Sequence, residues 1–347
     1  MMINDPIRRI VLYETNLMKC LLENLKNINH TQSSCSIEVF KKDALSPVES
    51  PPLQSILTSQ SAEMLTKRIS HLNKPVFELC SGPGAVTTAL LKAGAEKIIS
   101  LDYNPECIES TKRIQKQFPQ HLHVIRAHRR KSGDGKTVLN GLYSNIIENV
   151  QPEILNGMRR EWQEESAGVL LGACQDDYSA QQLLSQYLSS LLMRSSFFQL
   201  GKIEYFILHN QFHLRKVLAK PCTVKYGRFA VLTNILCDVT VIPVKIPSWH
   251  LYPPAKKKVR QTGEFLNILH LVPKQIQPLN ASNTLIDTFL RSCFRKRSVT
   301  IKQTMNELHP NSSSNLPTHL QMLKPPYITH KQYIEIINSL HRHVTSR

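Results

Sequence analysis

Apolar and polar positions along the chain mark out short strands separated by helices. Residues 76–79 form an apolar run that ends in a Gly/Pro turn, residues 86–93 carry a helix, and 97–101 form a second strand that Asp102 ends. This is a β–α–β unit. A helix over 104–117 and a strand over 122–126 continue the alternation, which predicts a doubly wound, Rossmann-like α/β domain. Upstream, residues 43–60 concentrate Pro and Ser and read as a loop leading into a helix over 61–71. The stretch 129–166 is charged and irregular, an elaborated loop with a helix near 152–163. A helix over 178–194, a strand over 203–208 and a strand-rich stretch over 229–244 follow. Beyond Pro273 the pattern turns helical, over 283–294 and 299–308. Residues 311–317 read as a flexible Asn/Ser/Pro linker, and a last helix covers 330–343. The expected division is an α/β domain over 1–274, with an N-terminal extension, and a small all-helical domain with a basic tail over 275–347.

Composition adds one feature to this picture. The 347 residues are 41% hydrophobic and 20% charged, ordinary values for a globular chain, and no apolar run approaches the roughly twenty residues of a membrane span. Charge is uneven: residues 1–200 hold 22 basic and 20 acidic side chains, whereas 201–347 hold 21 basic and 6 acidic. Nine of the fourteen His also lie in that second stretch. A cationic half joined to a neutral half points to a polyanion partner, nucleic acid before a membrane surface. The eight Cys are scattered without a C-x-x-C pair, which fits neither a zinc ribbon nor a disulfide framework and makes a reducing compartment the default. The N-terminus carries Arg8 and Arg9 but also Asp5, Glu14 and Glu23, so it has no secretory signal and makes a poor transit peptide.

The turn after the first strand, Glu78-Leu79-Cys80-Ser81-Gly82-Pro83-Gly84, has the form E-x-x-x-G-x-G. Glycines there let a ligand approach the backbone without a Cβ clash, and the helix N-terminus that follows adds a favourable dipole. The nicotinamide fingerprint G-x-G-x-x-G is not met. The pattern resembles that of S-adenosylmethionine-dependent methyltransferases, with Asp102 placed to accept hydrogen bonds from both ribose hydroxyls. The bland reading is a glycine turn kept for close strand–helix packing.

Further motifs in consistent order sharpen the resemblance. Leu53-Gln54-Ser55-Ile56-Leu57 looks like a Q-N-F-L segment, and Lys225-Tyr226-Gly227-Arg228-Phe229-Ala230-Val231-Leu232 like Y-G-R-L-S-V-L. Tyr252-Pro253-Pro254-Ala255-Lys256 is similar to F-x-P-P-P-K-V, and Phe294-Arg295-Lys296-Arg297-Ser298-Val299-Thr300-Ile301 to F-x-x-R-R-K-T-I. Over about residues 54–310 the chain resembles the rRNA adenine N6-dimethyltransferase family, and within it the mitochondrial transcription factor B branch. The resemblance implies an S-adenosylmethionine site built from Leu57, Glu78, Cys80, Gly82, Gly84, Asp102 and His128. Two positions depart from the family: Cys80 stands where Gly is usual, and His128, flanked by Arg126, Arg129 and Arg130, where Asp would accept from the adenine amino group. A protonated His cannot accept that bond, so cofactor binding is expected to be weak or vestigial.

Methyl transfer to an adenine N6 needs acceptors that pull the amine towards tetrahedral and a ring that stacks on the flipped base. The family supplies both with N-[L/I]-P-[Y/F]. Here Gly172-Ala173-Cys174-Gln175-Asp176-Asp177 falls at that position, with no Asn, no Pro and no ring before Tyr178. The P-P-Y of Lys324-Pro325-Pro326-Tyr327 lies out of order, and Lys324 is a donor that cannot receive the N6 hydrogens. No catalytic residue and no metal site is assigned.

The resemblance then implies a monomeric mitochondrial transcription factor that assists a single-subunit RNA polymerase in recognising and melting promoter DNA. An active rRNA dimethyltransferase and a non-catalytic rRNA-binding assembly protein are the alternatives. Lys256, Lys257, Lys258, Arg260, Arg295, Lys296, Arg297 and Lys302 are the candidate phosphate contacts. Trp249, Tyr252 and Tyr327 are candidate stacking surfaces. Lys324 and Tyr327 belong to a tail segment, 316–331, expected to reach an opened strand while the final helix packs.

Overall fold

The computed structural model describes residues 55–346 except 57, 70–72, 128–129, 132–136, 139–149, 151, 175–176, 253–264, 276–278 and 280. Its centre is a seven-stranded mixed sheet. In chain order the strands are β2 (Val76–Leu79), β3 (Ile98–Asp102), β4 (Leu122–Arg126), β7 (Gly168–Cys174), β8 (Ile203–Asn210), β9 (Cys237–Pro247) and β11 (Phe265–Pro273). Their spatial order is β4-β3-β2-β7-β8-β11-β9. The first five are mutually parallel, and β11 runs antiparallel to both β8 and β9. This is a Rossmann-like methyltransferase fold. Two small ribbons complete the strands: β1 (Ser55–Ile56) pairs with β10 (Leu251–Tyr252), and β5 (Arg130–Lys131) with β6 (Thr137–Val138).

The sheet is apolar on both faces, as parallel strands covered by helices must be. Along β2, β7 and β8 the side chains alternate between two clusters. Val76, Val169, Leu171, Phe206 and Leu208 belong to one. Phe77, Leu170, Tyr205 and Ile207 belong to the other. The first cluster packs under α1 (Ser59–Thr66) and α2 (Ala85–Lys92). The second lies under α5 (Asp177–Met193), α6 (Gln211–Val217) and α7 (Arg228–Leu236), which follow α3 (Pro105–Gln117) and the single-turn α4 (Pro152–Leu155) in the chain.

The helical C-terminal region comprises α8 (Asn283–Arg295), α9 (Ile301–Leu308), α10 (Thr318–Gln321) and α11 (His330–Thr345). Ile286, Phe289, Leu290, Ile301, Met305, Tyr333, Ile336, Ile337 and Leu340 are continuous with the core under α7, so this region shares its hydrophobic core with one face of the sheet. Thr300 with Gln303, and Thr329 with Gln332, form reciprocal capping boxes that fix where α9 and α11 begin.

Several expectations are corrected. Residues 228–236 are a helix, not strand: Ala230, Val231, Leu232, Ile235 and Leu236 are all buried, and a helix buried on most of its circumference reads as a continuous apolar run. The first helix starts two residues early, at the Thr58 cap, and ends at Thr66. The helix expected near 152–163 is one turn, followed by Gly157 at φ +74°.

Residues 311–317 are a folded turn rather than a flexible linker. Ser312, Ser313 and Leu316 are buried, and the Ser313 N–H donates to Asn306 Oδ1 at 3.2 Å. The segment 316–331 is docked rather than tethered. Leu320 and Ile328 are buried in the core, Tyr333 Oη donates to the Pro325 carbonyl at 2.9 Å, and the Ile301 N–H donates to the Leu323 carbonyl at 2.9 Å.

Candidate functional site

Strand order reverses between β2 and β7, so the carboxyl ends of these strands face the crevice where ligands bind in open α/β sheets. The glycine turn sits there. Its backbone is coiled into the left-handed region at Cys80 (φ +52°), Gly82 (φ +59°) and Gly84 (φ +93°), and Gly84 caps α2. A glycine at position 80 would take this conformation without strain; the cysteine carries it.

The polar groups of the turn are spent mostly on one another. Asp102 accepts the Gly82 N–H on Oδ2 at 2.9 Å, and the Tyr103 and Asn104 N–H groups on Oδ1 at 2.7 and 2.9 Å. Glu78, buried in β2, accepts the Thr87 hydroxyl at 2.6 Å. Burial pushes its carboxyl up to about 8, the Thr87 hydrogen bond opposing and the neighbouring Asp102 reinforcing the shift. Helix α3 braces the turn from outside, with Ser110 Oγ donating to the Pro83 carbonyl at 3.0 Å and Thr111 Oγ1 to the Gly82 carbonyl at 3.3 Å. The open side of each glycine faces protein: a Cβ on Gly82 would lie 2.2 Å from Ser55 Oγ, and one on Gly84 2.5 Å from Ile114 Cδ1.

S-adenosylmethionine can be tested against this set. The coiled backbone has the right form, and buried Ser81 Oγ has no hydrogen-bond partner among the described residues. Against that, both Asp102 oxygens already hold backbone donors, and Ser55 and Ile114 fill the space that the glycines leave. Leu57 and His128 lie outside the described residues. Of the set that the resemblance implies, Glu78, Cys80, Gly82, Gly84 and Asp102 line the turn, and backbone donors take three of the roughly four acceptor positions of the Asp102 carboxylate.

The position of the expected N-x-P-aromatic motif is fixed by topology. It follows β7, which lies next to β2. That strand ends in Gly172, Ala173 and a fully buried Cys174, while Gln175 and Asp176 lie outside the described residues. Tyr178, in the first turn of α5, is 69% exposed. On β8, in register with Cys174, His209 lies fully buried, its Nε2 2.7 Å from Tyr205 Oη and its ring 4.5 Å from that of His213. Burial first, and then His213, hold His209 well below the usual histidine range, so it is a neutral core group.

The basic candidates divide. Arg295, Lys302 and Lys324 are exposed, and Tyr327 is 54% exposed. Lys296 is paired with Glu307 at 2.9 Å. Arg297 turns inward, donating to the Tyr226 carbonyl at 2.8 Å and the Thr223 carbonyl at 3.5 Å, so it braces the loop over 218–227. Lys256, Lys257, Lys258 and Arg260, and the side chains of Trp249 and Tyr252, lie outside the described residues.

Phe212 and Lys216, which the sequence analysis does not single out, meet Lys225 of the Y-G-R-like motif. The Phe212 ring, 36% exposed, has Lys216 Nζ 4.5 Å and Lys225 Nζ 4.3 Å from its centroid. The helical i, i+4 spacing of Phe212 and Lys216 was the available signal. Lys225 reaches the ring from the loop over 218–227.

The chain matches no protein-family model. It is similar to the ribosomal RNA small subunit methyltransferase A of Bradyrhizobium diazoefficiens, 22% identical over 272 residues that cover 78% of this chain and 82% of that protein. It is similar to the mitochondrial dimethyladenosine transferase 1 of Vermamoeba vermiformis, 21% identical over 300 residues, 76% and 81% of the two chains. The Bos taurus protein called mitochondrial dimethyladenosine transferase 1 is 20% identical over 277 residues, 79% and 74%. Among solved structures, a dimethyladenosine transferase from Plasmodium falciparum superposes with a TM-score of 0.51 at 16% identity, covering 80% of this chain and 93% of that one. That likeness shows the fold.

Proposed function

From kinship with the rRNA adenine dimethyltransferases, which the sequence similarities support, we propose that this protein binds nucleic acid on a methyltransferase fold without transferring methyl groups. In this reading it serves as a mitochondrial transcription initiation factor that helps a single-subunit RNA polymerase open promoter DNA. The observation that carries the loss of chemistry is the carboxyl end of β7. Over residues 172–177, where the resemblance puts the family's N-[L/I]-P-[Y/F], the chain has no Asn, no Pro and no ring before Tyr178. The self-satisfied glycine turn supports the same reading, since Asp102 already holds three backbone N–H groups. The excess of basic side chains over 201–347 supplies the attraction for a polyanion. The mitochondrial assignment rests on the similarity to mitochondrial dimethyladenosine transferases.

A second reading, an active rRNA dimethyltransferase, is favoured by the names of the relatives and by the retained backbone form of the turn. One pair of assays separates the two. With labelled S-adenosylmethionine and a small-subunit rRNA hairpin, the protein should transfer no methyl above background; stoichiometric dimethyladenosine would overturn the non-catalytic reading. Run-off transcription from a mitochondrial promoter with the cognate polymerase should depend on the protein. Independence there, together with tight rRNA binding, would leave the rRNA-binding assembly role.

A further inference from the structure

We propose that Phe212, Lys216 and Lys225, continued by Lys220, Lys324 and Tyr327, form the surface that holds an unpaired strand of nucleic acid; this rests on the nucleic-acid reading above and gives it a location. Helix α6 begins directly after β8, the strand beside β7, so Phe212 stands at the same carboxyl edge as the crevice. Two ammonium groups converge on its ring, each attracted by the π-face and each repelled by the other. A phosphate relieves that repulsion. No acidic residue occurs between Glu204 and Asp238, nor between Glu307 and Glu335, so the strip is cationic on both of its contributing segments.

The segment that carries the second aromatic is tied to the same loop by the fold. The Cys222 N–H donates to the Pro326 carbonyl at 2.7 Å, and Tyr226 Oη donates to the Ile328 carbonyl at 2.8 Å. These bonds tie the loop that carries Lys220 and Lys225 to the segment that carries Lys324 and Tyr327. Lys220, Lys225, Lys324 and Tyr327 are all exposed. Lysines alone would fit any polyanion. Exposed rings interleaved with them fit one whose bases are unstacked, because a duplex keeps its base faces covered.

The test uses the full chain and fluorescent oligonucleotides of one length: single-stranded DNA, single-stranded RNA, a fully abasic strand and a duplex, titrated over a salt series. The wild type should bind the base-bearing strands more tightly than the abasic strand or the duplex, and the tighter of DNA and RNA identifies the source. Phe212→Leu should weaken base-bearing strands roughly tenfold and leave the abasic strand unchanged. A fold defect would weaken both, so the abasic arm controls for it. Lys216→Ala with Lys225→Ala should weaken every strand and lower the salt slope by about 1.4, near 0.7 for each lost phosphate contact. Tyr327→Leu should repeat the Phe212→Leu pattern at smaller size. Wild-type binding by all of these variants, or equal wild-type affinity for abasic and base-bearing strands, would overturn the proposal while the nucleic-acid reading stands. Absence of single-strand binding by the wild type at low salt would sink both.

Discussion

The turn over residues 78–104 and the loop over 218–227 spend their polar groups in opposite ways. In the turn, Asp102 gathers three backbone N–H groups, Glu78 takes a hydroxyl, and the glycines lie against Ser55 and Ile114. In the loop, the Cys222 N–H and the Tyr226 hydroxyl are bonded to the carbonyls of residues 326 and 328 while Lys220 and Lys225 are left exposed. The first arrangement is a brace and the second a display. A turn whose acceptors are used internally adds to stability, and in the proposed reading recognition falls to the cationic surface.

The largest expected effect tests the brace. Asp102→Ala leaves three backbone N–H groups without their acceptor, that of Gly82 buried and those of Tyr103 and Asn104 part-buried, which should destabilise the protein by on the order of 3 kcal/mol. Lys220→Ala in the loop should shift stability by less than about 0.5 kcal/mol. Urea unfolding of the two variants measures both. A loss below about 1 kcal/mol for Asp102→Ala would mean that the turn does not depend on its carboxylate and would dissolve the contrast.

Two buried carboxyls sharpen the contrast through pH. Glu78 sits at about 8 in the folded protein against an ordinary 4.5, so between those values the native state holds a proton that the unfolded chain has released. Stability contributed by this group therefore falls as pH rises, by at most about 1.4 kcal/mol per unit, or roughly 2–3 kcal/mol from pH 6 to 8. Glu78→Gln should remove that fall, read as a flatter stability profile over pH 6–8. Glu204, in β8, behaves in reverse. Burial raises it, but the hydrogen bond from His270 at 2.7 Å and the charge of Lys74 at 3.3 Å outweigh burial and hold it near 2. Its contribution is complete above about pH 4.5 and is lost as pH falls towards 2, so Glu204→Gln should flatten the acid limb instead. Identical profiles for the two variants would contradict both assignments.

The parts of this architecture that show in the sequence have local causes. Strands β2 and β3 are legible because their apolar runs stop at a Gly/Pro turn and at Asp102, just before the Asn104-Pro105 helix start. Strand β7 is poorly marked because it needs small residues: a Cβ on Gly168 would lie 2.8 Å from the Pro75 carbonyl oxygen, and one on Gly172 3.3 Å from Leu79 Cβ. Helix α7 is misread because it is buried nearly all round. At the site, the glycine turn and its two carboxylates are legible, whereas the capture of Asp102 by its own turn depends on where three N–H groups point. The Phe212 surface is hidden for a similar reason. The segment that carries Tyr327 joins the loop through hydrogen bonds between residues more than a hundred positions apart in the chain.

The smallest effect separates a strained turn from a relaxed one. Cys80 is buried, so removing its sulfur costs packing whether Ala or Gly replaces it. At an ordinary buried position Gly would be the worse of the two by up to about 1 kcal/mol, because it loses more backbone entropy on folding. Position 80 is not ordinary, since φ is +52° and Ala keeps the Cβ that makes this region unfavourable. Relief of that strain is worth about 1–2 kcal/mol, which offsets or exceeds the entropy loss. Both variants should therefore be less stable than the wild type, with Cys80→Gly equal to Cys80→Ala or up to about 1 kcal/mol more stable in urea unfolding. Cys80→Gly falling clearly below Cys80→Ala would show that the turn relaxes out of the left-handed conformation, and the brace would then be looser than the Asp102 hydrogen bonds imply.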